Sequence, residues 1–152
     1  MAMYPPPPEA PGTPPPSGGA SGPRAGFWRR FAGAFIDGIL IGIVSGILRA
    51  ATSYGVGTSL GLVVGAVYFT AMIGSVRGQT VGQMAMGIRV IDFNTGGPIG
   101  YGRAFIRWLV SLISAAVFLL GYLWMLWDKE KQCWHDKAAN DVVVPVQYYP
   151  VN

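Results

Sequence analysis

Two charged residues in the first apolar stretch raise the chemical question. In WRRFAGAFIDGILIGIVSGIL (28–48), Asp37 lies inside a run that is otherwise uncharged after Arg30. An aspartate at the centre of a membrane helix costs about 2.5 to 3.5 kcal/mol on insertion scales, so its carboxylate must face protein or water. Arg30 and Asp37 are seven residues apart and share a helical face, but their separation along the axis is about 10 Å. Helical side chains lean toward the N-terminus, so Arg30 is expected to snorkel to the headgroups as an interfacial anchor. Asp37 then needs a partner from elsewhere, and Arg107, at the start of the last apolar run, is the expected one. Two chemistries fit such a residue: a buried pair that fixes packing, or a carboxylate that titrates to move a proton or cation.

A second constellation lies near the C-terminus. WDKEKQCWHDKAANDVVV gathers Asp128, Cys133, His135, Asp136 and Asp141. Cys133 and His135 lack a second ligand pair at zinc spacing, and their proximity in sequence does not make a nucleophile–base pair. The stretch is therefore read as a juxtamembrane polar segment that bonds helix ends. With no phosphate-binding glycine loop, nucleophile elbow or zincin motif, neither an enzyme nor a cofactor is expected.

The elements that must carry these residues are apolar helices. The 152 residues are 51% hydrophobic and 12% charged, with a mean hydropathy of +0.40. Soluble domains carry about 25% charged residues, so lipid is the expected solvent. Three runs, 31–48, 59–76 and 104–127, are long enough to cross a bilayer. Trp28, Trp108, Trp124 and Trp127 sit at run ends, as an interfacial belt requires. The net charge of +4 is spread beside apolar runs and forms no basic stripe, which excludes nucleic acid as a partner.

The expected fold class is an all-α membrane protein with three transmembrane segments and a short interfacial β-prone segment. Arginines before the first run and between the second and third put the N-terminus and residues 77–103 in the cytoplasm. The third run either crosses once or turns back near Gly121 as a re-entrant hairpin. Lys129, Lys131 and Lys137 favour the return, although 24 residues are short for two passes. Met84 to Val90 alternate loosely, a turn cluster follows at 94–98, and DVVVPV (141–146) is β-prone, so the two stretches are candidates to pair on one side.

Residues 1–25 hold a Pro/Gly/Ser-rich tail, with nine of the twelve prolines before residue 24. That composition reads as disorder or polyproline II. The membrane domain is expected over 26–146, followed by a tail at 147–152. Small residues recur every fourth position: Ala34, Gly38, Gly42 and Gly46 in the first run, and Gly57, Gly61 and Gly65 leading through the second. Such ladders let membrane helices approach closely, here first within a hairpin and second between copies.

Taken together, Arg30 entering the first helix, Asp37 inside it, GQTVGQMAMGIRVID, an Arg-flanked last run and HDKAANDVVV resemble the RDD family of small bacterial membrane proteins. The likeness covers about residues 24–146. It implies that Arg30 and Asp37 fill the first two roles of the family's one arginine and two aspartates, and that Asp136 fills the third, with Asp128 as the fallback. It also implies a multi-pass protein of the bacterial inner membrane, but no particular reaction. Three runs cannot enclose a transport path alone, since midplane sites are commonly built between repeats of several helices. An accessory, scaffold or assembly subunit, with other membrane proteins, a homo-oligomer and the bilayer as partners, is the leading expectation. Oligomeric cation or proton-coupled transport through Asp37 is the alternative.

Overall fold

The computed structural model describes residues 22–117 and 120–151. The proline-rich stretch 1–21 lies outside them. Helix α1 (Phe27–Ala51) and helix α2 (Tyr54–Gly74) form an antiparallel hairpin joined only by Thr52 and Ser53. Ser53 caps α2 through the Val56 N–H at 3.4 Å, satisfying one of the free donors at the helix start. Both helices are long and apolar enough to cross a membrane. Their outer side chains, among them Phe35, Ile43, Ile47 and Val63, are exposed, as lipid-facing positions should be.

Asp37 sets the rotation of α1. Burying it turns Gly33 and Asp37 inward, with Ile41 and Ser45 below them at four-residue steps. The small-residue stripe is offset by one residue, about 100° around the helix. Ala34, Gly38, Gly42 and Gly46 are therefore exposed, and side chains added at the three glycines would meet nothing within 4 Å. The expectation that both ladders close the hairpin is corrected here. Only the α2 ladder does so: a Cβ on Gly57 would fall 2.5 Å from Arg49 Cα, and one on Gly61 would fall 2.6 Å from Ser45 Oγ.

After α2, Thr80 and Gln83 form a reciprocal capping box that starts the short helix α3 (Val81–Ala85). Helix α3 lies against α1 with Gly82 on Gly33, backbone to backbone, where a side chain on Gly82 would collide with the Gly33 carbonyl. Strand β1 (Ile88–Asp92) then pairs antiparallel with β2 (Asp141–Pro145), Val90 opposite Val143 and Asp92 opposite Asp141. Every residue of both strands is buried, so the alternation sought in the sequence is weak for a physical reason. One face packs Ile88, Val90 and Val143 against Ile73 and Ala104, and the other packs Ile91, Val142 and Val144 against Tyr149. Neighbouring backbone also bonds both strands. The Ala25 N–H donates to Val143 O at 2.8 Å, and the Val90 N–H donates to Gly78 O at 2.7 Å. Thus residues 22–25, read as part of the tail, dock on β2, and residues 147–150, read as a terminal tail, turn back over the sheet.

The last apolar run is not one helix. Helix α4 (Tyr101–Ala116) has 16 residues, about 24 Å at 1.5 Å per residue and short of a roughly 30 Å core. Helix α5 (Leu120–Leu123) and the 3₁₀ turn Trp124–Leu126 follow at 108° to α4. Only taken together does the bent pair meet the length and hydropathy of a span. The chain then returns, and α6 (Trp134–Ala139) packs along α4. Gly121 is buried at this return, where a side chain would strike Ser114 and Trp134.

Candidate functional site

Helix α4 lies over the sheet face that carries Asp92 and Asp141, which are direct cross-strand partners. Two aspartates facing each other would repel. Arg103 and Arg107, one helical turn apart, answer them. Arg103 pairs with Asp92 and also donates to the carbonyls of Ala139 and Asn140, each at 2.6 Å. Arg107 pairs with Asp141 at 2.5 Å and with Asp136. A spacing of four on a helix thus matches one rung of the sheet.

Asp136 is the hub. Arg107 meets one of its oxygens, and Arg30 meets the other at 2.5 Å, with side-chain exposures of 6%, 9% and 0% for Arg107, Arg30 and Asp136. The Cys133 N–H donates to the same Oδ2 at 2.8 Å, so Asp136 also caps α6. Arg30 further donates to Cys133 Sγ at 3.2 Å and to the Lys131 carbonyl at 2.9 Å. The start of α1, the middle of α4 and the start of α6 are therefore tied through one carboxylate. Three arginines face three aspartates, so that each buried guanidinium has a carboxyl partner, which is the condition for burying so many polar groups.

Electrostatics follow from this layout. Burial alone would raise Asp136, but Arg107 and Arg30 overcome it and hold the carboxyl well below the usual range. Burial pushes Asp141 up to about 8, with Asp136 adding to the rise and Arg107 opposing it. Burial pushes His135 down to about 3 despite Asp136 at 3.4 Å, so its ring is neutral at neutral pH. Burial also raises the Cys133 thiol to about 12, far from a reactive thiolate. Ligand atoms of Cys133, His135 and Asp136 lie within 4.8 Å of one another. A cation placed among them would face two guanidiniums already bound to Asp136 and a thiol that resists ionising. The donor set fits a hydrogen-bonded cluster better than a metal centre.

Asp37 stands apart from this lattice. Its carboxylate accepts from Tyr68 Oη at 2.7 Å, Thr80 Oγ1 at 2.5 Å and the Gly82 N–H at 2.9 Å, and it is 2% exposed. The Tyr68 hydroxyl in turn accepts from the Val81 N–H at 3.0 Å. Asp37 thus holds the N-terminus of α3 against α1 with neutral donors. Two expectations are corrected. Arg107 is not the partner of Asp37, because α4 crosses the sheet and spends Arg107 on Asp136 and Asp141. Arg30 does not rise to the headgroups, because the returning α6 brings Asp136 to it.

Of the four polar residues singled out, Arg30, Arg107 and Asp136 are brought together and Asp37 is not. Arg103, Asp92 and Asp141 complete the lattice. The i, i+4 arginines and a carboxylate at one end of each β-prone stretch were the signal for them, readable only once the strand register is known.

Over 69 residues the chain is 35% identical to the proline-rich antigen homolog of Mycobacterium tuberculosis and to the proline-rich antigen of Mycobacterium leprae. Those alignments cover 45% of this chain but only 29% and 28% of the relatives' lengths. The uncharacterized protein YxaI of Bacillus subtilis is 24% identical over 147 residues, covering 79% of this chain and 96% of that protein. No solved structure matches the chain with significance. The profile of the RDD family matches residues 24–140, a span that runs from Arg24 through Arg30, Asp37, Arg107 and Asp136, and the chain therefore belongs to the RDD family.

Proposed function

We propose that the protein is an accessory or assembly subunit of the bacterial inner membrane, multi-pass with a cytoplasmic N-terminus, docking other membrane helices on the outer face of α1. The observation that carries this reading is the unused stripe of Ala34, Gly38, Gly42 and Gly46. It has the four-residue spacing of a helix-contact ladder, yet it faces outward with open space at its glycines. The buried lattice supports the same view: it spends its charges on holding the fold together. Gentle-detergent purification of the wild-type chain, followed by mass spectrometry, is expected to bring down membrane partners or further copies. Gly38→Leu/Gly42→Leu should release them while leaving the monomer's thermal midpoint unchanged. A wild-type chain that elutes as a lone monomer would defeat the reading.

A second reading, oligomeric cation or proton-coupled transport, is favoured by one observation. Asp37 is a carboxylate within a span, with no basic side chain among its hydrogen-bond partners. Asp37→Asn in proteoliposomes should then abolish cation-dependent proton movement. Full movement in that variant removes the transport reading and leaves Asp37 as the clasp of α3.

A further inference from the structure

Arg24, Arg30, Arg103 and Arg107 each meet a carboxylate. Arg89 does not. It projects from β1 on the sheet face away from α4, is 5% exposed, and donates only to backbone carbonyls: Val76 at 2.8 Å, Pro150 at 2.9 Å and Tyr149 at 3.3 Å. A guanidinium has five N–H donors, and three bonds leave some of them over. Nε is one of these, buried and without a partner among the described residues. Carbonyl dipoles, including that of Val76 just beyond the end of α2, ease the desolvation of the cation. They supply no opposite charge, and a buried charge without one is costly. Burial lowers Arg89 from its ordinary value, but a guanidinium keeps its charge in proteins.

The space beside Arg89 is built for a small guest. A cavity of about 150 Å³ lies between Val76, the Gly96-Gly97-Pro98 turn and Tyr149–Pro150, well above the roughly 30 Å³ share of one water. Gly96, at φ +72°, bends the turn without a side chain, so backbone forms that wall. Among the described residues no carboxylate lines the cavity, and the exposed Arg77 is next in sequence to Val76. We propose that this cavity binds an oxyanion of the phosphate type, with Arg89 as its counter-charge. The guanidinium fork matches phosphate oxygens in geometry and charge. Two sources carry that chemistry: a phospholipid headgroup, at the level where α2 ends, and free phosphate.

The test uses the full chain. In neutral detergent it is titrated with sodium phosphate against sodium chloride at matched ionic strength. In parallel it is placed in phosphatidylcholine nanodiscs with and without phosphatidylglycerol, and the thermal midpoint is read in each. A saturable rise with phosphate in detergent identifies the free anion as source, and a rise only with phosphatidylglycerol identifies the headgroup; either supports the site. Gly97→Asp adds a carboxylate to the cavity wall at a position whose Cβ meets only Thr95 Oγ1 at 3.5 Å. It should weaken the apparent affinity by about tenfold or more, the worth of one charge-assisted contact. Arg89→Gln should do the same if it folds. No rise in the wild type with either source, or wild-type affinity in folded Gly97→Asp, overturns the proposal and leaves Arg89 as a clamp on the end of α2.

Discussion

Asp136 and His135 are neighbours in sequence, and both hold the fold less firmly as pH falls. His135 is buried as a neutral ring, so its folded value lies below its unfolded one. Its contribution to stability is complete above about pH 6.5 and is lost as pH falls toward about 3. At about pH 5 that loss amounts to about 2 kcal/mol. Asp136, held down by Arg107 and Arg30 against its burial, adds a loss at still lower pH. Asp141 acts in the reverse sense: its raised value means that its contribution is complete below about pH 4 and is lost progressively as pH climbs to about 8. The His135 and Asp141 contributions therefore offset one another between about pH 4 and 6.5, and the thermal midpoint in detergent is expected to run nearly level there, falling as pH rises from about 6.5 to 8 and again below about pH 4. His135→Gln should remove the acid-side loss, so that its midpoint rises as pH falls from about 6.5 to 5, as followed by tryptophan fluorescence during heating. A midpoint as level as that of the wild type over this range would show that the imidazole is not the acid-sensitive group.

Helices α1 and α2 both carry small residues every fourth position, but they use them differently. On α2, Gly57 and Gly61 admit the α1 backbone at Arg49 and the Ser45 side chain. On α1, the inward line is Gly33 and Asp37, and the stripe is turned away. Filling the two sets should separate them. Gly61→Leu or Gly82→Leu overpacks a closed contact, where penalties of about 1 to 3 kcal/mol or more are usual. Both should lower the yield of folded monomer on size exclusion, whereas Gly42→Leu should not. Equal behaviour of Gly61→Leu and Gly42→Leu would mean that the hairpin does not close on the α2 glycines.

The pairing of β1 with β2 constrains the whole molecule. Strand β1 follows α2 and α3, and β2 follows the returning third run. Their register, the Ala25–Val143 bond and the Arg30–Asp136 pair put the start of α1, helix α6 and strand β2 at the same end of the helical hairpin. The bent α4–α5 pair is then expected to enter the bilayer and come back. Tags fused to the N- and C-termini should be protected from protease together in intact spheroplasts and become accessible together on lysis. Tags on opposite sides would mean that the third run crosses fully and that the sheet cannot form as described.

Some of this was fixed by composition and spacing. Two charge-poor stretches of helical length dictate two spans, because only a helix satisfies its own backbone in lipid. The buried position of Asp37 follows from the cost of a carboxylate among acyl chains, and the joint appearance of the Arg30, Asp37 and HDKAANDVVV motifs marks the family. The partners of those residues were not legible. A periodicity of 3.6 says which side chains share a face, but not what lies across from it. Arg107 answers Asp136 and Asp141 instead of Asp37 because the chain bends by 108° between α4 and α5 and lays α6 along α4. Asp92 meets Asp141 because of a register between strands about fifty residues apart. Ion pairing in a membrane protein depends on distances across elements, and those exist only after the helices have packed.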